Sequence, residues 1–140
     1  MRVSAENVLR GTITEITEGA VDGLVKLDVN GQIITANISK HAIDTLGLRP
    51  GLAAAAIIKA DDVMMASEPR YALSARNQIS GTIAAIQKGA VNALVTIEAP
   101  DDLVIVASTT WHSIQEMELR PGSHVTAVIK AAAVMIALEA

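Results

Sequence analysis

The sequence predicts an all-β fold of two tandem five-stranded barrels, each with one short helix between strands 3 and 4. Three observations predict it: the chain is an internal repeat, its apolar residues mostly alternate with a period of two, and each copy carries one brief helical signature. Between residues 4–28 and 74–98, twelve of twenty-five aligned positions are identical, among them Ser4/Ser74, Asn7/Asn77, Gly11/Gly81 and Gly19-Ala20-Val21 against Gly89-Ala90-Val91. After one inserted residue, fifteen of thirty-three positions match between 34–66 and 105–137. These include His41/His112, Leu48-Arg49-Pro50-Gly51 against Leu119-Arg120-Pro121-Gly122, and Ile58-Lys59-Ala60 against Ile129-Lys130-Ala131. A repeat of this length sets the folding unit before any strand is assigned. The expected domains are residues 1–67 and 73–140, joined by a linker at 68–72 that overlaps the polar, proline-bearing stretch Ser67-Glu68-Pro69-Arg70-Tyr71.

Within each copy the elements follow in order. Thr12-Ile13-Thr14-Glu15-Ile16 begins a first strand, and Leu24-Val25-Lys26-Leu27-Asp28 alternates clearly as a second. Ile33 to Ile38 is the third, after an Asn30-Gly31 pair that favours a tight hairpin turn; Ala99-Pro100-Asp101-Asp102 takes that place in the second copy. A short helix follows, with Ser39 or Thr110 as N-cap and Ile43/Leu46 or Ile114/Met117 at i, i+3 spacing. Arg-Pro-Gly is expected to stop it. Leu52 to Lys59 and Val125 to Lys130 read as fourth strands, Val63 to Ala66 and Val134 to Leu138 as fifth strands. Five strands with a helix between the third and fourth is the order of an OB-type Greek-key barrel.

Composition narrows the function. The chain has 140 residues, 11 Lys+Arg against 15 Asp+Glu, a net charge of −4 and 51% hydrophobic residues, which places it in the globular class. Its longest apolar run, Ala131 to Leu138, is too short to span a bilayer, so no membrane partner is expected. Met1-Arg2-Val3-Ser4 reads as structure rather than as a leader, and the absence of cysteine fits a cytoplasmic protein. Acidity argues against nucleic acid as a partner, since phosphate binding depends on an excess of Lys and Arg. With only Tyr71 and Trp111 as aromatics, ligands that stack on flat side chains are disfavoured, and no organic cofactor is expected. Twenty-four residues are alanine, so the core of each unit is light. Units of about 65–70 residues without metal or disulfide are commonly stabilised by association, so an oligomer is expected.

Few repeated residues point to chemistry. Gly51 and Gly122 read as turn glycines with positive φ. Small residues at Gly19-Ala20-Val21 and Gly89-Ala90-Val91 either expose consecutive backbone N–H groups as an anion nest or serve close packing between units, and both readings stay open. Lys59 and Lys130 close apolar strands, where a rim lysine normally snorkels to solvent. Ser4, Ser74, Asn7 and Asn77 stand at strand starts. His41 and His112 fall in the first turn of the helix, a solvated position, and His124 has no counterpart in the first copy, where Ala53 stands. No acid pair, nucleophile-base arrangement or metal-ligand spacing occurs in either copy, so neither an enzyme nor a metal-cation site is expected.

The ordered set Ser74-Ala75-Arg76-Asn77, Gly81-Thr82-Ile83, Gly89-Ala90-Val91-Asn92-Ala93 and Val128-Ile129-Lys130-Ala131 resembles the Mop (molybindin) domain, which binds molybdate and tungstate. The resemblance covers practically the whole chain, as a tandem pair of such domains. It implies an OB-type barrel per repeat, a homotrimer presenting six repeats in a ring, and molybdate or tungstate oxyanions held between repeats for storage and molybdenum homeostasis. It further implies one class of site using Ser74, Arg76, Lys130 and Thr110, with Ser4, Lys59 and Ser39 as the first repeat's positions. A second class, near the three-fold axis, would use backbone amides around Gly19, Ala20, Val21 and Asp22, and around Gly89, Ala90, Val91 and Asn92. The chemistry agrees: a tetrahedral dianion requires many donors, and charge-assisted hydrogen bonds contribute roughly 1.5–3 kcal/mol each. A ligand-sensing module, or a structural oligomer with partly degenerate anion sites, is the alternative.

One departure keeps that alternative open. The first repeat reads Ser4-Ala5-Glu6-Asn7, with Glu6 where the second has Arg76, and Asp22 stands against Asn92. At ~4 Å and an effective dielectric near 20, a like-charge pair costs about 4 kcal/mol. If Glu6 faces the anion, sites that need its position are expected to be lost or weakened while those built on Arg76 survive.

Overall fold

A computed structural model describes residues 2–67 and 73–139. The expected linker at 68–72 lies outside the described residues. Each repeat contributes a long first strand, β1 (Asn7–Glu18) and β6 (Asn77–Lys88), then a hairpin, β2 (Asp22–Val29) with β3 (Gln32–Ser39), and β7 (Asn92–Ala99) with β8 (Leu103–Thr110). The helices α1 (Lys40–Leu46) and α2 (Trp111–Glu116) follow, then β4 (Ala53–Ile58) with β5 (Met64–Ala66), and β9 (His124–Ile129) with β10 (Met135–Ala137). The first strands begin at Asn7 and Asn77, earlier than the expected start at Thr12, and each carries a bulge, after Ile13 and after Ile83. That bulge bends the strand, so its first half pairs with the fourth strand and its second half with the second.

Glycine is required at one crowded point in each strand. A Cβ on Gly11 would sit 2.2 Å from the Asp28 carbonyl oxygen, and one on Gly81 would sit 2.6 Å from that of Glu98. The Asn30-Gly31 turn has φ of 51° and 87°, as a tight hairpin demands, while Asp101 and Asp102 reach 60° and 62° in the longer turn. Ser39 and Thr110 cap their helices, accepting from Ala42 N and Ser113 N at 3.1 Å each. The helix stop differs from expectation. Gly47 ends α1 in the left-handed conformation, and Glu118 takes φ 54° just after α2, so Arg-Pro-Gly forms a separate turn with Gly51 and Gly122 at φ 91° and 93°. A glycine past the last helical residue frees the carbonyls to be capped, which makes it the stronger stop.

The two sheets have strand orders β10-β4-β1-β2-β3 and β5-β9-β6-β7-β8. Each sheet therefore takes its fifth strand from the other repeat. Met135–Ala137 pairs with Ile57–Ala55 of β4, and Met64–Ala66 with Val128–Thr126 of β9. The 3-10 turns Ala60–Asp62 and Ala131–Ala133 lead into these exchanged strands and pack on β8 and β3 respectively, curling each sheet into an OB-type barrel. The two barrels share one hydrophobic cluster of aliphatic side chains, with Ile13, Leu27, Ile34 and Ile58 matched by Ile83, Ile97, Ile105 and Ile129. Asn7 and Asn77, each 2% exposed, form the seam. Asn7 Nδ2 donates to Val106 O and its Oδ1 accepts from Val106 N, both at 2.8 Å. Asn77 Nδ2 donates to Thr35 O at 2.8 Å and its Oδ1 accepts from Thr35 N at 2.7 Å. A primary amide presents one donor and one acceptor side by side, so it can extend a strand edge as another backbone would.

Candidate oxyanion sites between the repeats

The seam asparagines aim the rest of each Ser-Ala-x-Asn motif. Beyond Asn7, residues 8–10 share a groove with residues 102–104, at the start of β8. The first strand thus runs antiparallel alongside β8, and residues 4–6 head towards the Thr110 end. The repeat places residues 74–76 in the same relation to β3, which ends at Ser39. The turn after Lys59 packs on β8 and the turn after Lys130 packs on β3, in agreement. The turns that follow Lys59 and Lys130 thus lie on the strand that ends in the other repeat's helix cap. Ser4, Lys59, Ser74, Arg76, Lys130, Ser39 and Thr110 are all solvent-exposed.

Local geometry explains which donors these positions hold. Asn7 pairs with Ile58 and Asn77 with Ile129 in the same register, so residue 6 stands to Lys59 and Ala60 as residue 76 stands to Lys130 and Ala131. Glu6 Oε1 accepts from Ala60 N at 2.8 Å. That bond, a second from the amide of Glu6 itself and a smaller pull from Lys59 hold the carboxyl below the usual carboxylate range, against the opposing effect of burial. With Arg76 in place of Glu6, the Ala131 amide receives no such carboxylate. The capping hydroxyl of Ser39 accepts from Ala42 N on the helix, while that of Thr110 also donates to Ser113 Oγ at 2.9 Å.

The amides of Ala60 and Ala131 were not singled out by residue type, since an alanine side chain carries no chemistry. The signal was the identity of Ile-Lys-Ala in both copies. At the second expected class of site, Gly19 N donates to Asp22 O at 2.7 Å and Gly89 N to Asn92 O at 2.8 Å. Those two glycine amides close the turn instead of facing outward, which leaves the amides of Ala20, Val21, Ala90 and Val91 as the donors a ligand could use. Asp22 and Asn92 begin the following strands, β2 and β7. Val21 and Val91 stand 76% and 70% exposed at these tips. His112 meets Glu116 at 2.9 Å on the outer face of α2, and His124 hydrogen-bonds Thr82 at 3.2 Å; neither joins the clusters. Among the described residues, no group of three or more His, Asp or Glu could hold a metal ion, and no helix is long and apolar enough to cross a membrane.

Comparison with known proteins matches the TOBE domain to residues 3–65 and again to 73–136. The chain is 38% identical over 141 residues to the molybdenum transport protein ModE of Herbaspirillum seropedicae, and 37% identical over 141 residues to the molybdenum-pterin-binding protein MopA of Rhodobacter capsulatus. Each alignment covers 99% of this chain but 52% and 53% of the relative, so the chain spans about half the length of these curated relatives. Its fold is similar over its whole length to a crystal structure of the cytoplasmic molybdate-binding protein ModG with molybdate bound: TM-score 0.95, 35% identity, covering 99% of this chain and 100% of the other.

Proposed function

The chain belongs to the TOBE domain family, and from that premise we propose that it is a non-enzymatic binder of molybdate or tungstate, held at interfaces between repeats and kept there for storage and molybdenum homeostasis. The observation that carries this reading is the register of β6 on β9, which runs the segment bearing Ser74 and Arg76 alongside the segment bearing Lys130 and the Ala131 amide, where the following turn packs on β3, the strand that ends at Ser39. Such a set matches a tetrahedral dianion in charge and in number of donors. It holds no base or nucleophile poised for a reaction, which supports binding rather than catalysis. Molybdate and sulfate share charge and shape, so selectivity comes from size, read by donors on rigid strands. The extensive similarity to a molybdate-bound structure supports the same ligand and a cytoplasmic setting.

The resemblance groups Ser74, Arg76 and Lys130 with Thr110, and Ser4 and Lys59 with Ser39. The packing of the turn after Lys130 on β3 and of the turn after Lys59 on β8 supports the exchanged grouping for the first class of site, with Ser39 joining the former set and Thr110 the latter. The proposed second class uses the Ala20–Val21 and Ala90–Val91 amides where three chains of a homotrimer meet. A ligand-sensing role is the second reading, supported by the alignment of this chain, at 30% identity, to 53% of the transcriptional regulator ModE of Yersinia pestis. Calorimetric titration tests the ligand. Molybdate is expected to bind in the micromolar range or tighter, with Arg76→Ala weakening it about tenfold or more. Sulfate binding as tightly as molybdate, or an Arg76→Ala variant that titrates like the parent, would sink the assignment.

A further inference from the structure

We propose that Glu6 is a tethered anion that fills the first repeat's oxyanion site, so that each chain carries one open site at Arg76 and one plugged by its own side chain. The inference rests on the oxyanion reading above and says what regulates occupancy. Its basis is geometric. The strand register places Glu6, Lys59 and Ala60 where Arg76, Lys130 and Ala131 stand in the other repeat. In that frame the Glu6 carboxylate accepts from the Ala60 amide at 2.8 Å, with Lys59 near enough to favour its charged form. A strand-end amide beside a lysine is a donor set an oxyanion would use, and a carboxylate offers it the same negative oxygens. The attachment of Glu6 to the same strand makes its local concentration high, so an external dianion must displace it and then sit beside its charge.

A plugged site differs from a decayed one in a measurable way. Lys59, the Ala60 amide and Ser4 remain in place, so removing the carboxylate should be enough to open the site without restoring arginine. Titration of the full-length chain with molybdate is expected to show one more equivalent per chain for Glu6→Ala than for the wild type. The new site should bind about ten- to a hundredfold more weakly than the Arg76 site for want of the guanidinium, and Glu6→Arg should close that gap. In parallel, the Ala60 amide resonance should titrate with the Glu6 carboxyl in the wild type and lose that titration in Glu6→Gln. Equal stoichiometry in wild type and Glu6→Ala would overturn the inference while leaving the proposed function standing. So would a gain seen with Glu6→Arg alone, or an Ala60 amide indifferent to Glu6. No molybdate bound by any of these proteins would overturn the proposed function and this inference with it.

Discussion

Asn7 and Asn77 join the two repeats through pairs of hydrogen bonds to backbone that is otherwise an open strand edge. Truncating Asn77 to alanine would leave the Thr35 N–H and C=O unpaired in a buried seam, a loss of about 2–4 kcal/mol. Asn77→Asp should be nearly as harmful, because a carboxylate accepts from Thr35 N but repels Thr35 O. Denaturant unfolding measures both, and a change under about 0.5 kcal/mol in Asn77→Ala would remove the seam from the account. Glu6 makes a different prediction at this scale. Its folded pKa lies below the ordinary value of 4.5, so the stability it contributes is present above that pH and disappears as pH falls through the lower folded value. The lead of wild type over Glu6→Gln at neutral pH should therefore shrink as the pH falls below 4.5 and through the lower folded value. A lead that stays constant over that range would show that charge plays no part in the contact. The repeats also hold their helices by unlike residues: Lys40 reaches Glu18 at 3.8 Å, whereas Lys88 lies 4.7 Å from the Trp111 ring centroid. Both tether the end of the long first strand to the start of the helix, one through an exposed ion pair of small energy and one through a cation–π contact.

Among the elements, the exchanged fifth strands carry the largest consequence. Deleting residues 135–140 would strip β4 of its neighbour and expose the edge at Ala55–Ile57, in the barrel built mainly from the opposite end of the chain. Hydrogen exchange is expected to rise in β4 of the first repeat more than in β9 of the second; the reverse pattern would contradict the exchange. The order of strands, both hairpin turns and both helix caps were legible in the sequence because each depends on neighbouring residues: alternation, Asn-Gly, Ser39 and Thr110. The exchange was not legible. Val63-Met64-Met65-Ala66 and Val134-Met135-Ile136-Ala137 are nearly the same segment, so either satisfies either sheet, and alternation cannot tell one edge from another. For the same reason Asn7 and Asn77 were visible as repeated residues but not as the seam. Glu6 was visible as a charge in the wrong place, whereas its contact with Ala60 needed the register of β1 against β4. The helix stop was misplaced because Arg-Pro-Gly is the louder signal, although Gly47 comes first along the chain.

At the scale of the whole molecule, exchange ties the two barrels into one body with a shared core, yet the hairpin tips stay apolar and uncovered. Val21 and Val91 occur at equivalent turns of both repeats, the most exposed of the large hydrophobic side chains among the described residues, at tips braced by Gly19 and Gly89. If the tips meet in the proposed trimer, placing a carboxylate there sets like charges against each other around the axis. The double substitution Val21→Asp, Val91→Asp is then expected to lower the mass in sedimentation equilibrium from trimer to single chain, with each chain still folded by circular dichroism. An unchanged mass would place the interface elsewhere. Ligand and assembly are linked if anions bind between chains. Molybdate at about a hundred times its Kd should stabilise the wild type by roughly 2.7 kcal/mol per site. The resulting rise in melting temperature should shrink in the double variant, because the amides of Ala20, Val21, Ala90 and Val91 no longer converge, while the Arg76 site within each chain keeps its share. A full thermal shift in the dissociated variant would show that all of the binding resides inside single chains, and the second class of site would then have to be abandoned.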